Sequence, residues 1–236
     1  SAAQNRDTWT EVATALEVAE DATDLRLELN FMGSGRHCYD DLRIEELPAA
    51  AGHGLAGEEL VKAENLDLEA GELGQIPTAW NVPLGSQVDG YQAGLTDQRP
   101  RQGRRCACLR AAGTAQPQGA GWIFKKLDVI PYRGKRVRMR AAVRVEPTAA
   151  LAEAYPMPPG EVHLWLRVDR PNARTGLYDR MSNRPIASNE WQDYEIAGLV
   201  DSDATSLQFG VELVGRGAAC IDDVHLDILP AAAARQ

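Results

Sequence analysis

The chain is sparing with the residues that usually announce a chemistry. Its 236 residues hold four cysteines, four histidines and three phenylalanines. The cysteines are too few for a disulfide scaffold, and His37, His53, His163 and His225 lack the spacing of a metal motif. No apolar run approaches the roughly 18 residues that a membrane-spanning helix needs, and "SAAQNRD" is not a secretory leader. With a formal charge of −9, the chain lacks the clustered basic footprint of a nucleic-acid binder. Its one basic run, "YRGKRVRMRAAVR", alternates Arg136, Arg138 and Arg140 with Val137, Met139 and Ala141, which is the wet face of a strand. The G-x-S-x-G of a hydrolase elbow is missing, and "GSGRHC" lacks the third glycine of a dinucleotide fingerprint. Asp40 with Asp41, and Asp222 with Asp223, are adjacent on strands, so each pair is expected to point to opposite faces and not to act as an acid and base. These absences argue against an enzyme.

What the chain does have is ordinary globular composition, 44% hydrophobic and 25% charged, with period-two patterning. "EVHLWLRVD" alternates Val162, Leu164, Leu166 and Val168 with His163, Trp165, Arg167 and Asp169; "SLQFGVEL" sets Leu207, Phe209, Val211 and Leu213 on one face. Half-buried strands of this kind build a two-layer sandwich. Helical signal is confined to short stretches such as "TAALAEAY", and "PAAAGHGLAGEELVKA" reads as a linker that ends in a single helical turn. Cys106 and Cys108, two apart on one strand, are poorly placed to bond each other. Three full pairings of the four cysteines are open, and free or buried thiols are expected. Trp80, Trp122, Trp191 and Tyr194 fall at positions that the family resemblance described below treats as core or strand starts.

Shifting the chain against itself by 182 positions aligns residues 9–47 with 191–229 without a gap and gives thirteen identities in 39 positions. Among the matched pairs are Trp9 with Trp191, Cys38 with Cys220, Asp40 with Asp222 and Asp41 with Asp223. A period this long is a domain repeat, not a solenoid. Residues 1–47 therefore read as the last three strands of a truncated first copy, 48–63 as the linker, 64–230 as a complete second copy and 231–236 as a tail. Three strands cannot close a two-layer core alone, so the first segment is expected to pack on the second copy or to pair with another chain as a homodimer.

"ENLDLEAGELGQIPTAW" and "GRGAACIDDVHLDI" resemble the opening and closing strands of galactose-binding-type jelly rolls like those of carbohydrate-binding modules. "LWLRVDRPNARTGLYDRMSNRPIASNEWQDYEI" is similar to the accessory β-sandwich ahead of the catalytic domain in carboxyl-terminal-processing serine peptidases and erythromycin-esterase-like proteins, with Arg180 where that pattern has Asn. The resemblance implies an all-β jelly-roll sandwich and a non-catalytic accessory module that docks a peptidase-like domain absent from this chain. It favours a periplasmic or secreted setting. It also implies a structural Ca²⁺ where the chain ends of the fold meet, held by Glu69, by Asp222 or Asp223, and with Asp67 nearby; oxygen ligands suit that ion. In the alternative reading the chain is a carbohydrate-binding module. His163, Trp165, Arg167 and Asp169 would then form an oligosaccharide platform, with Gln208 and Glu212 beside them. Against that platform stands an arrangement in which Trp165 packs under the loop and Arg167 pairs with Asp169.

Overall fold

The structure is a computed structural model and describes residue 38 and residues 40–44, 57–111, 119–146 and 160–230. The chain divides into two compact units, Ala3–Gly52 and His53–Gln236. Most of the first copy, much of the linker, "TAALAEAY" and the tail lie outside the described residues.

The described residues of the second unit form a few short helical turns and nine strands. These are β1 (Tyr91–Thr96), β2 (Cys106–Ala111), β3 (Ala120–Leu127), β4 (Arg136–Glu146), β5 (Glu161–Arg170), β6 (Arg174–Asp179), β7 (Gln192–Leu199), β8 (Ser206–Val214) and β9 (Ala218–Ile228). Two short helices, α1 (Gly57–Ala63) and α2 (Leu84–Val88), precede them. One sheet has the order β1-β2-β9-β4-β7 and the other β3-β8-β5-β6, with every strand pair antiparallel. This is the two-layer sandwich expected from the alternation, and the jelly roll that the resemblance implied. Val162, Leu164, Leu166 and Val168 of β5 are fully buried, as are Leu207, Phe209, Val211 and Leu213 of β8 opposite them. Val137, Met139 and Val143 of β4 close the core from the other sheet.

α1 lies in the stretch read as linker, runs for seven residues, and sends Leu60 into the core. Beyond it the opening motif folds around Asn65, which is buried with φ of 51°. That side chain donates to the carbonyls of Ala70 and Thr78 and accepts from Ala70 N–H. Trp80 Nε1 donates to the Asn65 carbonyl, and its ring meets Phe209 edge-on at 6.5 Å. An Asn tolerates the left-handed backbone and ties the turn with its amide, and the Trp anchors that turn to the core.

Two readings need correction. Cys108 and Cys220 are directly opposed on β2 and β9, with Cα atoms 4.0 Å apart, and form a disulfide; Cys106 is a buried free thiol and Cys38 an exposed one. The bonded cysteines are 112 residues apart in sequence, so spacing alone could not reveal their proximity. Asp222 and Asp223 do not point to opposite faces. Asp223 has φ of 49°, and the β4–β9 register shifts there, so the inward row runs Ile221, Val224, Leu226. A β-bulge adds a residue and re-aims its neighbours. Both carboxylates now reach Gln102, Asp222 through the backbone N–H and Asp223 through the side-chain amide.

The loop of residues 97–105 covers the outer face of the five-stranded sheet. Trp191 Nε1 donates to the Arg99 carbonyl, and fully buried Arg144 donates to the Gln98 carbonyl, pairs with Glu146, and lies 5.0 Å over the Trp191 ring. Further along β4, Arg138 and Arg140 share Asp227. The arginine row is thus a wet face only over its first half.

Candidate functional site

The outer face of the four-stranded sheet carries the residues singled out as a ligand platform. Alternation on β5 and β8 places His163, Trp165 and Arg167 outward, level with Glu212, Gly210 and Gln208. β3 adds Trp122, Phe124 and Lys126 at the same three levels. Tyr178 of β6 stands opposite Arg167.

The first level is charged and shielded. His163 and Glu212 are buried, with Nδ1 and Oε2 3.3 Å apart. Arg180, from the turn after β6, brings Nη2 to 2.8 Å from the same oxygen. Glu212 thus sits between two cationic or potentially cationic groups, which offsets the cost of burying its charge.

The second level is aromatic. Gly210 has no side chain, so Phe124 and Trp165 approach across β8 with ring centroids 5.9 Å apart. A Cβ on Gly210 would lie 2.1 Å from the Ile123 carbonyl oxygen and 2.7 Å from Phe124 Cα. Trp165 is only 9% exposed, and its Nε1 is buried without an acceptor. It is therefore the floor of the face, not an open plate.

The third level is polar. Arg167 Nε donates to Asp169 Oδ1 at 2.7 Å, and its guanidinium lies 5.7 Å over the Tyr178 ring. Gln208 Nε2 is 2.7 Å from Ser206 Oγ and 3.4 Å from Asp169. The six platform residues thus fall into a His163–Glu212 pair, an Arg167–Asp169–Gln208 group and Trp165 between them. Trp122, at 39% exposure, and Tyr178, at 49%, are the aromatic surfaces that solvent reaches. Trp122, expected at a core position or a strand start, lies near the start of β3 with its ring outward. Its place was legible in "GWIFKKL", where alternation sets Trp122, Phe124 and Lys126 on one face. Arg180 had no such signal, because it acts from a turn. Below it, burial pushes Asp179 up, but Arg184 and the Met181 N–H outweigh that and hold the carboxyl below its usual range.

The four residues named for calcium do not converge as a cation site. Glu69 Oε1 accepts the N–H groups of Arg104 and Arg105 at 2.7 and 3.0 Å. Asp222 Oδ2 accepts those of Arg101 and Gln102 at 2.7 and 3.1 Å, and Asp222 Oδ1 accepts Asp223 N–H. Asp223 also faces His225, and Asp67 is half-buried on the opening turn. The donor set is the wrong sign: a cation there would meet amide hydrogens and arginines. Among the described residues no three His, Cys, Asp or Glu side chains are grouped to hold a metal. The acids clamp the 97–105 loop instead. Burial pushes the Asp222 carboxyl up to about 6, against the pull of its amide hydrogen bonds.

No protein-family model matches the chain. It is 26% identical over 144 residues to an uncharacterized HTH-type transcriptional regulator, YbfP, of Bacillus subtilis (strain 168), a match spanning 61% of this chain and 45% of that protein. The chain therefore spans under half the length of this relative. Among solved structures it is similar to the CBM22-1 xylan-binding domain of Paenibacillus barcinonensis Xyn10C, at 16% identity and a TM-score of 0.48, covering 69% of this chain and 98% of that one. It is also similar to the C-terminal family 22 carbohydrate-binding module of Clostridium thermocellum Xyn10B, at 14% identity and a TM-score of 0.46, covering 64% and 86%.

Proposed function

We propose that this chain is a non-catalytic carbohydrate-binding module that takes an oligosaccharide on the outer face of its four-stranded sheet. The observation that carries this reading is the Trp165 indole N–H, buried and without an acceptor, on a face whose exposed aromatics are Trp122 and Tyr178. A sugar offers both complements, an apolar ring face for Trp122 or Tyr178 and a hydroxyl oxygen for the indole N–H. Glu212 accepts a ligand hydroxyl once Arg180 swings aside. The accessory role beside a peptidase-like domain rests on sequence resemblance alone, so sugar binding is the reading the site supports better. The Cys108–Cys220 disulfide supports an oxidising compartment, periplasmic or extracellular.

The test is a tryptophan-fluorescence titration against xylo-, cello-, manno- and galacto-oligosaccharides. Saturable binding is expected, weakened about tenfold in Trp122→Ala, which corresponds to about 1.4 kcal/mol. A flat response to every sugar at millimolar concentration would sink the proposal.

A further inference from the structure

The outer face of the four-stranded sheet holds two buried N–H groups that find no acceptor, Trp165 Nε1 and Arg180 Nε. The strand order brings them to one place. Arg180 follows the end of β6, yet its Nη2 lies 2.8 Å from Glu212 on β8. β5 runs between β6 and β8, so the guanidinium crosses the outer side of β5, where His163 and Trp165 stand. Neighbouring strands lie about 4.8 Å apart, so a side chain that spans two such gaps lies flat along the face, with Nε over β5.

The acceptors of this face are already engaged. Glu212 Oε2 has Arg180 and His163 against it, and Asp169 takes Arg167 Nε and the Gln208 amide. Glu161, exposed at the rim, lies 3.7 Å from His163 Nε2. Donors remain. Besides the two unmet N–H groups, Arg167 commits only Nε, to Asp169, among the described residues, and its guanidinium rests on the Tyr178 ring. Trp165 therefore lies between two arginines, Arg167 two residues further along β5 and Arg180 crossing from β6. Indole and guanidinium nitrogens only donate, so a group that fits here brings acceptors and no further hydrogen. A hydroxyl answers one donor and adds one of its own. A carboxylate answers both with two oxygens and carries the charge that two arginines complement.

We propose that the oligosaccharide taken by this face carries a uronic acid, whose carboxylate sits over Trp165 between Arg180 and Arg167. The inference rests on the sugar-binding reading and adds the class of sugar. Arg180 meets the carboxylate with Nε where it stands, or with its whole fork once it leaves Glu212, and a planar fork matches the two carboxylate oxygens. Trp122 and Tyr178, the exposed aromatics, are left for the apolar faces of neighbouring rings.

Calorimetric titration of the whole chain compares three acids with their methyl esters: an oligogalacturonate, an oligomannuronate and a glucuronate-branched xylo-oligosaccharide. Esterification removes the charge and leaves the sugar ring in place. At least one acid is expected to bind about tenfold more tightly than its ester, the scale of one charge-assisted hydrogen bond. That ratio is expected to fall about threefold or more in Arg167→Gln and in Arg180→Lys, the second keeping a cation beside buried Glu212 so that the fold survives. Thermal unfolding checks both variants. Acid and ester bound equally, neutral oligosaccharides bound alone, or a ratio indifferent to both substitutions would overturn this proposal and leave the sugar-binding reading in place. Failure of every acid, ester and neutral oligosaccharide to bind would remove both.

Discussion

Removing the Cys108–Cys220 bridge tests how much of the sandwich is held by its own packing. The bridge joins residues 112 apart in sequence and so closes most of the second unit into one loop. Restricting a loop of that length in the unfolded chain stabilises the fold by about 5 kcal/mol in the chain-entropy treatment. Both cysteines are almost wholly buried, with Trp191 and Cys106 packed against them, so a Cys108→Ala/Cys220→Ala pair adds a small packing loss. Unfolding of this unit would then begin roughly 10–20 °C lower, at about 2–4 °C per kcal/mol for a domain of this size. Urea unfolding of wild type with and without a phosphine reductant, beside the Ala pair, measures it. The reduced protein and the double variant should coincide, and the m-value should rise because the unfolded chain expands. A midpoint that does not move on verified reduction would refute the entropic account and assign the stability to β2–β9 pairing.

Three further outcomes follow from the same contacts. Asp222 ionises with a pKa near 6 in the fold against 3.8 ordinarily; a raised carboxyl stabilises fully below about pH 3.8, and about 3 kcal/mol is lost as pH climbs through 6. Chemical denaturation from pH 4 to 7 should show that fall, flattened in Asp222→Asn; a parallel profile in the variant would contradict the assignment. Gly210→Ala forces a Cβ into the β3 backbone and should cost about 3 kcal/mol with a changed Trp165 emission, whereas unaltered melting and emission would show that β3 and β8 separate easily. Lys125 faces the core and is 1% exposed, with Glu64 as its partner at 2.8 Å; Glu64→Gln should cost about 3 kcal/mol and Lys125→Met close to nothing in thermal unfolding, because an unpaired buried charge is worse than none.

The strands were legible because β4, β5 and β8 each send one row of apolar side chains into the core, so period two is written into their residues. The shared outward row of His163, Trp165 and Arg167 on β5 was legible for the same reason, and the register adds Trp122 and Phe124 of β3 to it. Its depth was not. Trp165 is a floor because Gly210 lets Phe124 close over β8, and that is a cross-strand event between residues 86 positions apart. A lone glycine inside "QFGVE" was the available signal, since glycine in a strand marks a close approach. The acid pair misled for a local reason: strict alternation splits Asp222 from Asp223, and a single left-handed residue cancels it. The acids that the resemblance named for calcium meet a loop that offers its amide hydrogens to Glu69 and Asp222, and Gly103 is what lets it pass so near that a Cβ would lie 2.1 Å from Glu69 Oε1.

The two outer faces of the sandwich answer the same problem in opposite ways, and the difference bears on where a ligand can go. Over the five-stranded sheet, the disulfide, the Arg144–Trp191 stack and the acid-clamped loop tie the 97–105 segment down onto β2, β4 and β9. A ligand there would have to break backbone hydrogen bonds before making any. Over the four-stranded sheet, Arg180 from a turn pairs with Glu212, and the Trp165 indole N–H is buried without an acceptor. An unmet buried donor costs on the order of 1–3 kcal/mol. A ligand hydroxyl that meets it recovers that energy on binding.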